Sequence, residues 1–158
     1  MFEINQINDY KTLHQMLDAL LDGEEDIVSH LANASALLNE FMTDVNWVGF
    51  YTMKNAHLQL GPFQGKPACV TIPVGKGVCG TAVSERKTMR IEDVNAFPGH
   101  ITCDAASQSE IVVPIIINGD VFGVLDIDAP IKNRFDSEDQ AGLETFVKVL
   151  EKHIIRLV

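Results

Sequence analysis

The sequence predicts an α+β fold, and three of its features lead to that class. Apolar residues recur with helical spacing in the first 42 positions and again after 136, whereas the segments between them alternate and are rich in β-branched residues. An Asn-Gly pair at 118–119 separates two of those segments and is the strongest short signal for a β-hairpin. Hairpins join antiparallel strands, so we expect helices packed on a mostly antiparallel sheet. The 158 residues suit a single domain, 1–158, with a sizeable core.

Helices are predicted before and after the strand-forming middle of the chain. Apolar residues at three- and four-residue spacing predict a first helix over 10–22 and a second over 24–42. Asp136, with Asp139 three residues later, is expected to cap a closing helix whose apolar stripe runs to Ile154.

The middle of the chain predicts short strands. Residues 45–53 are β-branched and aromatic, and alternation places Trp47 and Tyr51 on one face and Val48 and Phe50 on the other. Trp47 and Tyr51 are therefore candidates for the wall of a small pocket, although core packing is the default role of such aromatic residues. Further strands are expected from 58 onward and at 68–74, 88–91, 110–117 and 121–128, with a short helix at 81–86.

The protein is strongly acidic, with a formal net charge of −10 and no cluster of Lys or Arg. Such a surface repels phosphate backbones and anionic lipid, so neither nucleic acid nor a membrane is expected as a partner. No run of about 18 apolar residues occurs, and the start, MFEINQINDYKTLHQ, has no basic segment followed by an apolar one, as a signal peptide would. These features favour a cytoplasmic protein.

The segment GKGVCG, at 75–80, satisfies the GxGxxG pattern of dinucleotide-binding folds, and Glu92 and Asp93 follow at a suitable distance. That fold also needs alternating strands and helices after the glycines, whereas a hairpin and one helix are predicted here. We therefore expect the glycines to permit a tight turn and close packing, with no nucleotide or flavin cofactor.

The three cysteines, Cys69, Cys79 and Cys103, do not suggest a structural disulfide framework, because their number is odd and no export signal is present. No CxxC pair occurs, so a structural zinc site is not expected either. Cys69 is predicted to lie in an apolar strand and Cys79 at the start of a helix, so each fits the usual role of an inert, small buried hydrophobe.

Cys103 differs because it lies in a polar loop of about 16 residues, at 93–108, a length that is often functional. Exposure favours reactivity of its thiol, whereas the neighbouring Asp104 disfavours the thiolate and His100 could compensate. Cys103 is the candidate reactive cysteine.

Two carboxylates interrupt an otherwise apolar strand in GVLDIDAP. Alternation places Asp126 and Asp128 on one face, and charges on a core strand are costly unless they are paired or face a cavity. Two close carboxylates raise each other's proton affinity, so one can stay protonated near neutral pH and act as an acid. The alternative is that the strand emerges into solvent at Asp128.

The position of Glu110 depends on the register of the hairpin. With a two-residue turn and regular pairing it lies opposite Ile127 and faces away from the two aspartates. A three-residue turn that includes Asp120, or a bulge near Pro114, brings it opposite Asp128 instead. Proline itself indicates an edge or an irregular ladder, so we predict one of these irregularities.

The chain resembles a known family, the free methionine-(R)-sulfoxide reductases, which are stand-alone enzymes built on the GAF fold. The resemblance covers nearly the whole chain and lies in NWVGFY, ACVTIPVGKGVCG, DVNAFPGHITCD, SEIVVPI and GVLDIDAP followed by FD. It implies a GAF fold in which the N- and C-terminal helices pack on one face of the sheet and a loop covers a pocket on the other. Members are often homodimers.

By this resemblance Cys103 is the nucleophile that attacks the sulfoxide sulfur and becomes a sulfenic acid. Cys69 is the favoured resolving cysteine, and Cys79 is kept as a second candidate or relay. The resulting disulfide would be reduced by thioredoxin, which draws its electrons from NADPH, and no metal, nucleotide or flavin is needed. Either resolving cysteine must bring its Cα within about 7 Å of that of Cys103, so the loop is expected to move during turnover.

The resemblance also assigns the acids and the aromatic residues. Glu110, Asp126 and Asp128 would share the protonation of the sulfoxide oxygen and the binding of the substrate ammonium group, with Asp128 and Glu110 favoured near the oxygen. Trp47 and Tyr51 would surround the methyl group of the substrate. Backbone amides of the loop at 97–103 are expected to bind its carboxylate.

Two alternatives belong to other functional classes. One is a GAF sensor that binds a cyclic nucleotide or another small molecule without reaction, and the other is a thiol switch whose disulfide alters shape or assembly. A sensor has no need of cysteines aligned with carboxylates, which favours the enzyme.

Overall fold

The computed structural model describes residues 9–101, 103 and 105–158. Within them, six strands form one sheet in the order β3-β2-β1-β6-β5-β4, and all neighbours are antiparallel. The strands are β1 (Trp47–Lys54), β2 (His57–Gly65), β3 (Thr71–Pro73), β4 (Met89–Ile91), β5 (Ser109–Ile117) and β6 (Asp120–Ala129). The α-helices are α1 (Tyr10–Leu21), α2 (Ile27–Phe41), α3 (Gly77–Glu85) and α4 (Ser137–Ile154). The predicted α+β class is confirmed.

Capping side chains set where the long helices begin. Asp26 accepts a hydrogen bond from the backbone amide of Ser29, so α2 begins at Ile27 and not at 24. Asp136 caps α4 as predicted, because its side chain accepts a hydrogen bond from the backbone amide of Asp139. The carboxylate of Asp139 in turn accepts one from the backbone amide of Asp136, which completes a capping box.

Two local predictions around GKGVCG were wrong in their bounds. The strand expected at 68–74 is limited to β3, and α3 begins at Gly77, four residues before the predicted 81. Gly77 has a φ of 64°, which glycine adopts without strain, and a Cβ on Gly80 would lie 2.5 Å from the carbonyl oxygen of Pro73. The glycines thus permit a tight turn and close packing, as expected.

One face of the sheet packs on α1, α2 and α4. Buried apolar side chains from these helices meet the alternate residues of β1, β5 and β6 that point towards them. This core includes the fully buried side chains of Leu13, Leu38, Phe50, Ile127 and Phe146. We call this side of the sheet the helix face.

The opposite side, which we call the pocket face, carries a smaller core. Trp47 and Tyr51 of β1 lie there with Val124 of β6, and Val78 and Ala82 of α3 pack against them. The alternation predicted for β1 is confirmed, because Val48 and Phe50 belong to the helix-face core.

The hairpin of β5 and β6 contains the predicted irregularity. Ile117 pairs with Asp120, so the Asn-Gly turn has two residues, and Asn118 has the positive φ that such a turn requires. The register then shifts between Ile115 and Ile116, which is a β-bulge next to Pro114.

Candidate active site on the pocket face

A small enclosed site lies between the pocket face, α3 and the segments that carry Cys69 and Cys103. Its cavity measures about 50 Å³, which holds a few water molecules. Seven of the eight residues predicted for the site line it directly, and the eighth, Cys69, is bonded to one of them. The seven are Trp47, Tyr51, Cys79, Cys103, Glu110, Asp126 and Asp128.

Cys69 and Cys103 form a disulfide at the edge of this cavity. Their Cα atoms are 5.6 Å apart and both residues are half-buried. The interpretation of Cys69 as an inert, buried residue of an apolar strand was wrong, because Cys69 precedes β3 and bonds to the loop cysteine. The hydroxyl of Tyr51 donates a hydrogen bond of 3.0 Å to the carbonyl oxygen of Cys69 and holds this backbone in place.

The β-bulge determines which carboxyl groups enter the site. Beyond it, Glu110 pairs with Asp128, and Val112 pairs with Asp126, so all three acids lie on the pocket face. Glu110 and Asp126 are only 6% and 5% exposed, and Asp128 is half-buried. Asp128 also lines the cavity, so the strand does not simply emerge into solvent there.

Burial and neighbouring charges raise the pKa of two of these carboxyl groups. Burial is the main cause that raises the pKa of Glu110, and the charges of Asp126 and Asp128 raise it further. Burial also raises the pKa of Asp126, against the hydrogen bonds from Glu110 and Cys79 that favour its charged form. Glu110 is therefore the carboxyl group best placed to hold a proton near neutral pH.

Cys79 remains a free thiol at the base of the site. Its Sγ lies 3.9 Å from Oε2 of Glu110, and the residue is buried. Burial first, and then the neighbouring carboxylates, raise the pKa of this thiol well above its ordinary value. A thiol held neutral in this way is a poor nucleophile.

His100 lies beside Glu110, whereas the sequence suggested a role for it beside Cys103. Its Nε2 lies 3.9 Å from Oε1 of Glu110, and burial lowers the pKa of the imidazole. The suggestion that His100 assists the thiolate of Cys103 stays a prediction. The predicted effect of Asp104 and part of the predicted carboxylate-binding loop, at Thr102, lie outside the described residues.

Two aromatic rings, those of Trp47 and Tyr51, line the cavity, and the ring of Phe63 packs behind that of Trp47. Trp47 stacks on Tyr51, with ring centroids 5.9 Å apart, and on Phe63, with centroids 5.1 Å apart. The indole Nε1 donates a hydrogen bond of 3.1 Å to the carbonyl oxygen of Lys66. Phe63 was not predicted beside these two rings, because its position opposite Gly49 depends on the irregular register of β1 and β2.

The architecture around GKGVCG differs from that of a dinucleotide-binding fold. The GKGVCG segment opens α3 beside an antiparallel sheet, so the parallel strand-helix-strand unit that a dinucleotide fold needs does not follow it in the described chain. No helix among the described residues is both long and apolar enough to cross a membrane.

Comparison with known proteins identifies the class of this fold and site. The GAF domain family profile matches residues 13–154. The free methionine-R-sulfoxide reductase of Escherichia coli is 53% identical over 149 residues, which cover 94% of this chain and 90% of that protein.

Solved structures agree with this class. The reduced form of fRMsr from Staphylococcus aureus has 53% sequence identity, covers 100% of both chains and superposes with a TM-score of 0.91. Its complex with substrate covers 94% of this chain and 95% of that one, with 53% identity and a TM-score of 0.88.

The fold and the matched profile therefore define a GAF domain protein. Within that class, the chain belongs to the family of free methionine-R-sulfoxide reductases.

Proposed function

We propose that this protein reduces free methionine-(R)-sulfoxide to methionine, with Cys103 as the nucleophile and Cys69 as the resolving cysteine. The observation that carries the proposal is the Cys69–Cys103 disulfide at the edge of a cavity lined by three acids. A cysteine pair beside buried carboxyl groups of raised pKa supplies what sulfoxide reduction needs, namely a sulfur nucleophile and an acid.

The first step joins these two groups. The sulfur of Cys103 attacks the sulfoxide sulfur while a carboxyl group protonates the sulfoxide oxygen, which is otherwise a poor leaving group. The oxygen is transferred formally to Cys103, so the thiol and the sulfoxide give a sulfenic acid and methionine. Glu110 is the favoured acid, because it is buried against two further carboxyl groups and both burial and their charges raise its pKa.

The second step regenerates the enzyme. The thiol of Cys69 attacks the sulfenic sulfur of Cys103, a disulfide forms and water leaves. Two electrons and two protons from a dithiol reductant then restore both thiols, and we propose thioredoxin, in the cytoplasm, for this role. The Cα separation of 5.6 Å suits the direct reaction of these two cysteines without Cys79 as a relay.

Recognition of the free amino acid would use the remaining groups. Asp126 and Asp128 lie beside Glu110 and offer negative charge to the substrate ammonium group, and Oδ1 of Asp126 has no hydrogen-bond partner within the described residues. Trp47 and Tyr51 offer an apolar surface to the methyl group and the side chain. Backbone amides of the loop at 97–103 would bind the carboxylate.

The cavity is also expected to widen during the catalytic cycle. A cavity of about 50 Å³ is too small for a molecule of methionine sulfoxide. We infer that the disulfide holds Cys103 at the edge of the pocket, and that its reduction lets the site widen so that substrate enters.

A coupled assay tests the proposal, with purified protein, free methionine-(R)-sulfoxide, thioredoxin, thioredoxin reductase and NADPH. We expect steady turnover by the wild type and none by Cys103→Ser. Cys69→Ser should release about one methionine per chain and then stop, because its sulfenic acid is not resolved, whereas Cys79→Ser should continue beyond one turnover.

Other results of the coupled assay would contradict the proposal or reassign the cysteines. A wild type that binds the sulfoxide but never releases methionine would contradict the enzyme and favour a GAF sensor. Steady turnover by Cys69→Ser, together with arrest of Cys79→Ser, would transfer the resolving role to Cys79. Time-resolved mass spectrometry of Cys103 after addition of sulfoxide distinguishes a sulfenic acid from a disulfide in each variant.

A further inference from the structure

A second kind of chemistry is available at the base of the cavity, in a cluster that we call the donor cluster. It consists of Cys79, Glu110 and Asp126, whose sulfur and oxygen donor atoms all lie within 4.8 Å of one another. The three residues come from α3, β5 and β6, and each is buried. Their separation along the chain is why no short metal-binding motif marks them in the sequence.

One atom of the cluster lacks any partner in the described chain. Asp126 is 95% buried, since only 5% of its surface is exposed, and its Oδ1 accepts no hydrogen bond from a described residue. A buried carboxylate oxygen in this condition loses its hydration without compensation, so it favours a cationic ligand. A fourth donor is close, because Nε2 of His100 lies 3.9 Å from Oε1 of Glu110.

The types of donor select among cations. A cysteine sulfur, two carboxylate oxygens and an imidazole nitrogen are the ligand types of Zn²⁺, and of Co²⁺ as its spectroscopic substitute, whereas Mg²⁺ and Ca²⁺ prefer oxygen alone. Bond lengths of about 2.3 Å to sulfur and about 2.0 Å to oxygen put two tetrahedral ligands about 3.5 Å apart. The sulfur of Cys79 and Oε2 of Glu110 are 3.9 Å apart, so a small closure brings them to that distance.

We propose that the donor cluster binds one Zn²⁺-type ion through Cys79, Glu110 and Asp126, with His100 as the adjacent fourth ligand. Neither Cys69 nor Cys103 takes part, so the ion binds whether or not their disulfide is formed. Ligation of Glu110 and Asp126 removes the acid and the ammonium site from the reductase. Zn²⁺ therefore inhibits turnover, a consequence that rests on the proposed function, whereas binding itself does not.

Titration of the oxidised protein with Co²⁺ tests the binding directly. The Cys69–Cys103 disulfide leaves Cys79 as the only free thiol among the three cysteines, and a thiol count confirms this before the titration. We expect a thiolate-to-cobalt charge-transfer absorption that saturates at one Co²⁺ per chain and disappears when Zn²⁺ is added. Cys79→Ser should abolish the absorption, and Asp126→Asn should weaken Co²⁺ binding at least about 10-fold.

Asp120→Asn is the matched control, because Asp120 is an exposed aspartate at the other end of the same strand. It should bind Co²⁺ as the wild type does. Circular dichroism shows whether each variant folds, and Glu110→Gln replaces Cys79→Ser if that variant does not. The proposal is overturned if the wild type gives no charge-transfer absorption at millimolar Co²⁺, or if the absorption persists in Cys79→Ser.

The reductase assay is run separately on the same preparations. Absence of Co²⁺ binding with intact turnover overturns only the metal site. Stoichiometric Co²⁺ binding by a protein that never turns over the sulfoxide supports the metal site and contradicts the reductase.

Discussion

The two faces of the sheet are made by the same strands but differ in what they bury. On the helix face, β1, β5 and β6 contribute apolar side chains that meet three helices. On the pocket face, β5 contributes Glu110 and β6 contributes Asp126 and Asp128. The short helix α3 and segments without regular structure cover these acids. The helix face buries mainly apolar side chains, whereas the pocket face also buries carboxyl groups, whose loss of hydration opposes folding.

Because of this difference, we expect the helix face to determine mainly the stability of the protein and the pocket face to determine its chemistry. Apolar burial on the helix face supplies the main favourable free energy of folding. The pocket face can therefore accept three carboxyl groups, whose desolvation opposes folding, and one of their oxygens, Oδ1 of Asp126, has no hydrogen-bond partner among the described residues. Substitutions on the two faces should accordingly change different measured quantities.

The largest expected effect is on activity, from Glu110→Gln. Loss of a general acid lowers the turnover number about 10²- to 10⁴-fold, while the same size of side chain leaves the fold intact. Steady-state kinetics and thermal unfolding of one preparation check both statements. Glu85→Gln, an exposed position on α3, is the control. Activity of Glu110→Gln within 10-fold of wild type would mean that another group protonates the oxygen.

On the helix face, Phe50→Ala should act on stability instead. Phe50 is completely buried next to Tyr51 in sequence but points the opposite way. Its truncation should lower the free energy of unfolding by about 3–5 kcal/mol, measured by denaturant unfolding. Turnover per folded molecule should stay close to wild type at low temperature, and a severe loss of turnover there would contradict the separation of the two faces.

Two tyrosine hydroxyls allow a matched comparison of smaller size. Tyr10 donates to Oδ1 of Asp139 at 2.6 Å on the helix side, and Tyr51 donates to the carbonyl of Cys69 at 3.0 Å. Tyr10→Phe removes a bond to a carboxylate and should lower the free energy of unfolding by about 1.5–3 kcal/mol, whereas Tyr51→Phe should lower it by about 1 kcal/mol. Equal losses in denaturant unfolding would show that the charge of Asp139 adds nothing.

The smallest expected effect is the change of the free energy of unfolding with pH. Its slope has opposite signs for His30 on the helix face and Glu110 on the pocket face. His30, on α2, is 1% exposed and neither ring nitrogen has a hydrogen-bond partner among the described residues. Burial lowers its pKa below 6.5, so the unfolded chain binds the proton first and stability is lost as the pH falls from about 6.5. Four charged or titratable groups act on it: His153, Arg156, Glu24 and Asp26.

Glu110 gives the opposite slope. Its pKa in the folded protein is raised above 4.5, so its contribution to stability is present at lower pH and is lost as the pH rises through the folded value. Each group changes the free energy of unfolding by at most about 1.4 kcal/mol per pH unit. Thermal midpoints across pH should show a shallower acid decline in His30→Leu and a shallower alkaline decline in Glu110→Gln, and parallel curves for all three proteins would contradict both assignments.

Much of the fold follows from local sequence signals. Helical periodicity predicted α1, α2 and α4, the Asn-Gly turn predicted the central hairpin, and Asp136 marked the beginning of α4. These signals act over a few residues, so one sequence is enough to reveal them. The choice of face for Trp47 and Tyr51 followed from alternation in the same way.

Other features depend on contacts between distant segments. The bounds of α3 depend on how Gly80 approaches the backbone of Pro73, and the pairing of Cys69 with Cys103 joins positions separated by 34 residues. The sequence indicated that Glu110 needs an irregular register to face the aspartates, but it could not choose between a three-residue turn and a bulge. Phe63 and the contact of His100 with Glu110 gave no local signal at all.

The bulge between β5 and β6 has one further consequence. One unpaired residue, Phe122, separates the pair Ile116–Val121 from the pair Ile115–Gly123. If Phe122 instead paired with Ile115 in a regular ladder, every later pair would shift by one residue, and Glu110 would lie opposite Ile127 and not opposite Asp128. The one extra residue of the bulge thus decides whether an acid or an apolar side chain lies beside Glu110, although Phe122 is itself no member of the acidic group.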